Sequence, residues 1–239
     1  MKKRLLLFLC IFTLLLSTAA QAEDVTADVP APAPSAEKAD TLSPFARTRS
    51  YDGRFTDVDA SAWYHDAVAA LYEYGLTEGV SSSAYAPEGS VTIAELVTFA
   101  ARLHALERGA AIPAAAAGEA WYRPYVRYLK AEKCLGDELD GHYPEAATRA
   151  QMAGVLASAL SAECYDERNA EAVTVGYASH RRITDVDDYT PYQSDILRLY
   201  KWGIVGGVDE DGSFHPNDTL KRRELAALVV RMVEPSARL

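Results

Sequence analysis

The strongest constraint on this chain is that it repeats itself. Phe55-Thr56-Asp57-Val58, Trp63-Tyr64, Gly75-Leu76, Gly79, Tyr85-Ala86-Pro87 and Thr92-Ile93-Ala94-Glu95 follow one another in order. The same order returns as Ile183-Thr184-Asp185-Val186, Pro191-Tyr192, Gly203-Ile204, Gly207, Phe214-His215-Pro216 and Lys221-Arg222-Arg223-Glu224, with one residue of loop length separating the copies. Between them lies a more eroded version: Trp121-Tyr122, Lys133-Cys134, Tyr143-Pro144 and Thr148-Arg149-Ala150-Gln151. It lacks a clear Phe-x-Asp-Val opening and has a shorter loop. A repeat of this size is one supersecondary unit that cannot bury its apolar face alone, so the copies are expected to pack on each other.

Spacing predicts two helices per unit. Val68, Leu71, Tyr72, Gly75 and Leu76 fall on one helical face, and Ile196, Leu199, Tyr200, Gly203 and Ile204 repeat the pattern. Leu225, Leu228, Val229, Met232 and Val233 mark a second helix in the last unit. Gly75 and Gly203 stand where a helix ends on a left-handed residue. Thr92 with Glu95, and Thr148 with Gln151, have capping-box spacing. The last unit has Lys221 at the cap position and breaks that rule, which leaves Thr219 as the alternative cap. The expected fold is therefore all-α, built of helix-loop-helix repeats.

The rest of the chain divides around the repeats. Met1-Lys2-Lys3-Arg4, the apolar run from Leu5 to Leu16 and Ala20-Gln21-Ala22 together read as a secretory signal peptide over residues 1–22. The apolar run is too short to span a bilayer comfortably. Residues 23–50, with Pro30, Pro32, Pro34 and Pro44 among Ala, Asp, Glu and Ser, read as an Ala/Pro-rich linker. The units are assigned to 51–109, 110–165 (divergent) and 166–239. The 24 Lys and Arg face 34 Asp and Glu, and the leader would carry off three of the positive charges. That acidity argues against a nucleic-acid partner. Cys134 and Cys164 remain beyond the leader. Cys134 aligns with Leu76 and Ile204 and reads as a small buried apolar residue, with a Cys134–Cys164 disulfide as the alternative.

The ordered motifs resemble the S-layer homology domain across residues 53–234. That resemblance implies three units in a compact pseudo-threefold bundle. It implies a non-covalent anchor that holds an exported protein to the bacterial cell wall. The ligand it implies is a secondary cell-wall polysaccharide, often carrying a pyruvate ketal, or peptidoglycan, bound in grooves between units. A cell-surface protein-interaction scaffold on the same fold is the alternative. The arginine of the helix-start motif is the main ligand contact in the family, helped by loop glycines, an aromatic and an aspartate. It maps to Arg149 and Arg222, and is replaced by Ile93 in the first unit, so at most two grooves are expected to be competent.

The candidate binding residues are thus Arg149, Arg222, Thr148, Asp57, Asp185, Trp63, Trp121, Gly79 and Gly207. The two arginines are expected at helix N-termini, where free N–H groups and the dipole favour an anion. Asp57 and Asp185 fit turn or capping roles as well as groove roles. Trp63 and Trp121 suit core packing as well as stacking on a sugar. Gly79 and Gly207 are turn residues first. Glu95 and Glu224 read as capping partners. Asp209-Glu210-Asp211-Gly212-Ser213 looks like part of a calcium loop but lacks the closing carboxylate, and an acidic turn is the preferred reading. His65, His104, His142, His180 and His215 form no metalloprotease motif, and there is no nucleophile elbow or phosphate loop. No enzyme activity, metal or cofactor is expected.

Overall fold

The computed structural model describes residues 45–167, 183–209 and 212–239. The expected leader, most of the linker and His180 lie outside the described residues. The fold is all-α. The first helices of the three units are α1 (His65–Glu73), α3 (Arg123–Ala131) and α5 (Gln193–Lys201); the second helices are α2 (Ile93–Arg108), α4 (Arg149–Ala157) and α6 (Arg222–Val233). Among the described residues no helix is long and apolar enough to cross a membrane.

Val68 and Leu71 of α1, Ile196 and Leu199 of α5, and Leu225, Leu228, Val229, Met232 and Val233 of α6 are all buried, as the helical spacing requires. Each first helix closes with the same backbone bond. The N–H groups of Leu76, Cys134 and Ile204 donate to the carbonyls of Leu71, Leu129 and Leu199 at 2.9, 2.8 and 2.9 Å. Such a closure needs a left-handed residue just before the donor. Gly75 and Gly203 supply it with φ +73° and +71°, whereas the middle unit forces Lys133 to φ 61°. A side chain there costs about 1–2 kcal/mol.

The second helices start as their caps direct. Thr92 and Thr148 accept from the amides of Glu95 and Gln151, whose side chains accept from the Thr amides in return. Only half of that box survives in the last unit. Lys221, and not Thr219, is the N-cap residue, and its N–H donates to the Glu224 carboxylate at 2.8 Å. A lysine side chain has no lone pair to return the bond.

Pairing between helices crosses the repeats. α3 packs on α2, α5 on α4 and α1 on α6, so each first helix lies on the second helix of the preceding unit and the last unit closes on the first. At the centre a ring of three backbone bonds joins the units. Val91 donates to Leu220, Leu220 to Ala147 and Ala147 to Val91, at 2.8, 3.0 and 2.7 Å. This cyclic order is the pseudo-threefold of the bundle. Val91, Ala147 and Leu220 are fully buried around it. Every unit therefore depends on both neighbours for its core, which is why no unit is expected to fold alone.

Residues 45–50, assigned from sequence to the linker, are docked on the bundle. Thr48 N–H donates to Glu73 O at 2.9 Å, and Arg47 bridges Glu73 and Glu234 at 2.6 and 2.5 Å. At the other end, Leu239 N–H donates to Gly203 O at 2.9 Å.

Cys134 and Cys164 are free thiols, each only partly buried. Cys164 donates to the Glu107 carboxylate at 3.1 Å, and burial pushes both thiols above their usual range. In the acidic turn, Asp209 accepts from Ser213 N–H and pairs with His215 Nε2 at 3.0 Å. His215 and the Ser213 amide hold the Asp209 carboxyl down to about 2. Among the described residues no group of His, Cys, Asp and Glu is arranged to hold a metal ion.

Candidate functional site

Each second helix begins against the loop of the next unit in the cycle. At α6, Arg222 and Arg223 donate their N–H groups to Gly89 O and Pro87 O; at α4, Arg149 and Ala150 donate to Asp218 O and Pro216 O; at α2, Ile93 and Ala94 donate to Glu145 O and Tyr143 O. These bonds consume the first free amides of each helix. The expected anion site made of helix N–H groups is therefore already filled, by carbonyls of the neighbouring loop. Charge chemistry at the three junctions falls to the side chains.

Arg222 lies at the junction of the third and first units and is 6% exposed. Its Nε donates to Tyr85 O at 2.7 Å, and its guanidinium carbon stands 4.8 Å from the centre of the Tyr85 ring. Its Nη1 reaches Glu95 Oε1 at 2.5 Å. Tyr85 Oη in turn donates to Arg222 O at 3.0 Å. The arginine thus ties two units by hydrogen bond, ion pair and cation–π contact.

Arg149 repeats half of this at the junction of the second and third units. It is 7% exposed, its Nε donates to Phe214 O at 2.7 Å, and its guanidinium stands 4.9 Å from the Phe214 ring. Among the described residues neither Nη has a hydrogen-bond partner, and no carboxylate comes within ion-pair distance. Burial pulls the Arg149 pKa below its ordinary value, against the more distant pull of Glu224, Asp218 and Asp185.

At the third junction the same register puts Ile93 in the place of the arginine and Gln151 in the place of the glutamate. Ile93 is 1% exposed. The missing arginine of the first unit and the missing glutamate of the middle unit are therefore one loss at one interface. Linear reading treats them as separate defects, because the partners belong to different repeats.

Asp57, Asp185 and Thr148 make contacts within the scaffold. Asp57 accepts from Tyr85 N–H and Ala86 N–H at 2.9 and 2.7 Å, and Asp185 accepts from Phe214 N–H and His215 N–H at 2.6 and 2.7 Å. Each carboxylate clamps the turn that presents the aromatic ring, and holds Ala86 and His215 at φ 57°. Thr148 is the cap of α4. A side chain at Gly79, whose φ is +78°, would strike Ala84 O and the Phe55 ring; one at Gly207 would strike Gly212. At both glycines the space a side chain would need is taken by atoms of their own unit. Trp63 and Trp121 are 65% and 53% exposed, so neither is a core residue. They lie edge-on to Tyr64 and Tyr122, with ring centres 5.4 and 5.7 Å apart. Neither lies over Arg149 or Arg222, whose aromatic partners are Phe214 and Tyr85. Glu95, read from sequence only as a cap, does both jobs: Oε2 accepts from Thr92 N–H while Oε1 meets Arg222.

Residues 54–96 and 182–226 match a family model, the S-layer homology domain. A surface-layer 125 kDa protein of Lysinibacillus sphaericus is 50% identical over 44 residues, which is 18% of this chain and 4% of that protein. The S-layer homology segments contain both clamped turns, Glu95 and Arg222. The stretch between them, unmatched by that model, carries Arg149, Gln151 and Lys133. The chain spans only a small part of the curated relative, so that protein's role is not transferred with the likeness.

Proposed function

We propose that this protein is a cell-wall anchor of the bacterial surface, which binds a carboxylate-bearing secondary wall polysaccharide in a groove between repeats. The observation that carries this reading is Arg149: a guanidinium almost wholly enclosed, braced on an aromatic ring, with both terminal nitrogens unpaired among the described residues. Holding a largely enclosed cation with no direct ion-pair partner is costly. A planar carboxylate, such as that of a pyruvate ketal, matches the guanidinium fork and relieves that cost. The exposed Trp63 and Trp121 offer flat apolar faces for sugar rings. The net charge of −10 repels an anionic polymer over long range, so attraction has to be local and short-ranged.

The likeness of two segments to S-layer homology domains supports the wall as the partner. The arginine chemistry supports the acidic sugar and the groove as the site. The test is co-sedimentation of the purified protein with wall sacculi, before and after chemical removal of the secondary polymer. Sedimentation lost on stripping is the expected result. Equal sedimentation with stripped walls assigns binding to peptidoglycan, and none with either preparation leaves a protein partner as the function of the fold.

A further inference from the structure

Arg149 and Arg222 occupy the same place in two copies of one unit, yet only Arg222 meets a carboxylate. That carboxylate, Glu95, belongs to the neighbouring unit and lies 2.5 Å from Nη1. It presents to the guanidinium the same group that an acidic sugar would bring. We propose that Glu95 is an internal competitor that fills the carboxylate seat of Arg222, so that the Arg149 groove takes the ligand and the Arg222 groove stays shut. This rests on the reading of the protein as a binder of carboxylated wall sugars.

Several contacts favour this division. Glu95 is fixed on α2 by its second oxygen, which accepts from Thr92 N–H at 2.9 Å and Thr92 Oγ1 at 3.0 Å. An intramolecular carboxylate so placed competes at a high effective concentration that a free sugar has to exceed. Around it, Glu88 also draws the cations beside Arg222: Lys221 approaches it at 3.6 Å, and Arg223 pairs with it directly. At Arg149 the corresponding carboxylate is Glu224, which is held by its own cap as Glu95 is but does not come within ion-pair distance of the guanidinium. Glu224 accepts from Lys221 N–H, Asp218 stands 3.4 Å from His215 Nδ1, and Asp185 clamps two backbone amides. None closes on the guanidinium.

The chain itself supplies a clean variant. Gln151 caps α4 through Oε1, which accepts from Thr148 N–H at 2.9 Å. Glu95→Gln therefore keeps the cap of α2 while removing the charge opposite Arg222. The probe is a methyl glycoside carrying a pyruvate ketal, titrated into the full chain by calorimetry. One equivalent is expected to bind wild type, and binding is expected to vanish in Arg149→Ala. Glu95→Gln is expected to bind two equivalents, the second being lost again in Glu95→Gln/Arg222→Ala. An unchanged stoichiometry in Glu95→Gln overturns the proposal. If no variant binds the glycoside, the carboxylated-sugar reading fails by itself, and the seat is then read by nuclear magnetic resonance. Separate, slowly exchanging Nη–H signals of Arg222 in wild type that merge in Glu95→Gln show that Glu95 occupies the seat. Signals that do not change show that it does not.

Discussion

Arg149 and Arg222 stand over aromatic rings in two copies of one unit, and each donates Nε to the carbonyl of the residue that carries its ring. From there they diverge. Arg222 completes an ion pair across the interface and becomes part of the scaffold. Arg149 ends in two unpaired nitrogens among the described residues. The third junction has the uncharged Ile93 and Gln151 at the two corresponding positions. One interface geometry thus supports a closed electrostatic tie, an open cationic seat and an uncharged pair of positions. The backbone bonds that join each helix start to the next loop are the same in all three. The fold is carried by the backbone ring and the buried stripes, so the side chains at the helix starts are free to differ in role.

Substitutions sharpen this contrast. Arg222→Ala is expected to cost most, about 3 kcal/mol, because it removes a hydrogen bond and a cation–π contact and strands Glu95 at the interface. Urea unfolding reads this directly; a loss below about 1 kcal/mol would remove Arg222 from the scaffold. Arg149→Ala has no ion pair to break and is expected to cost less, about 1.5 kcal/mol, in the same measurement. Lys133→Gly acts in the opposite direction. It relieves a left-handed side chain at the end of α3 and is expected to add about 1 kcal/mol, raising Tm by roughly 2–4 °C. Gln151→Glu is expected to change least, within about 0.5 kcal/mol. The cap is kept, and Ile93 occupies the register position from which an arginine would answer the new charge. A large gain from Gln151→Glu would show that some other cation serves that junction.

The helices were legible in the sequence because their causes are local. Apolar spacing, Thr-x-x-Glu caps and Gly75 and Gly203 all act within one or two turns. The positions of Arg149 and Arg222 at helix starts were legible for the same reason. What each arginine touches was not. Tyr85 lies 137 residues before Arg222, and Phe214 lies 65 residues after Arg149. These partners follow from the cyclic packing order, which places every helix start on the loop of another unit. The same order turns the free amides expected at the helix starts into bonds with neighbouring carbonyls. It also joins Ile93 and Gln151 into a single loss. Asp57 and Asp185 fit two roles from sequence because a turn clamp and a groove ligand demand the same residue type; the paired amide contacts show the turn clamp.

The division between a tied and an open arginine is tested most directly by co-sedimentation with polymer-bearing sacculi. Arg149→Ala and Arg222→Ala would be compared with wild type at a temperature where all three are folded. Binding is expected to be lost in Arg149→Ala and retained in Arg222→Ala. Loss in Arg222→Ala with retention in Arg149→Ala would contradict the account.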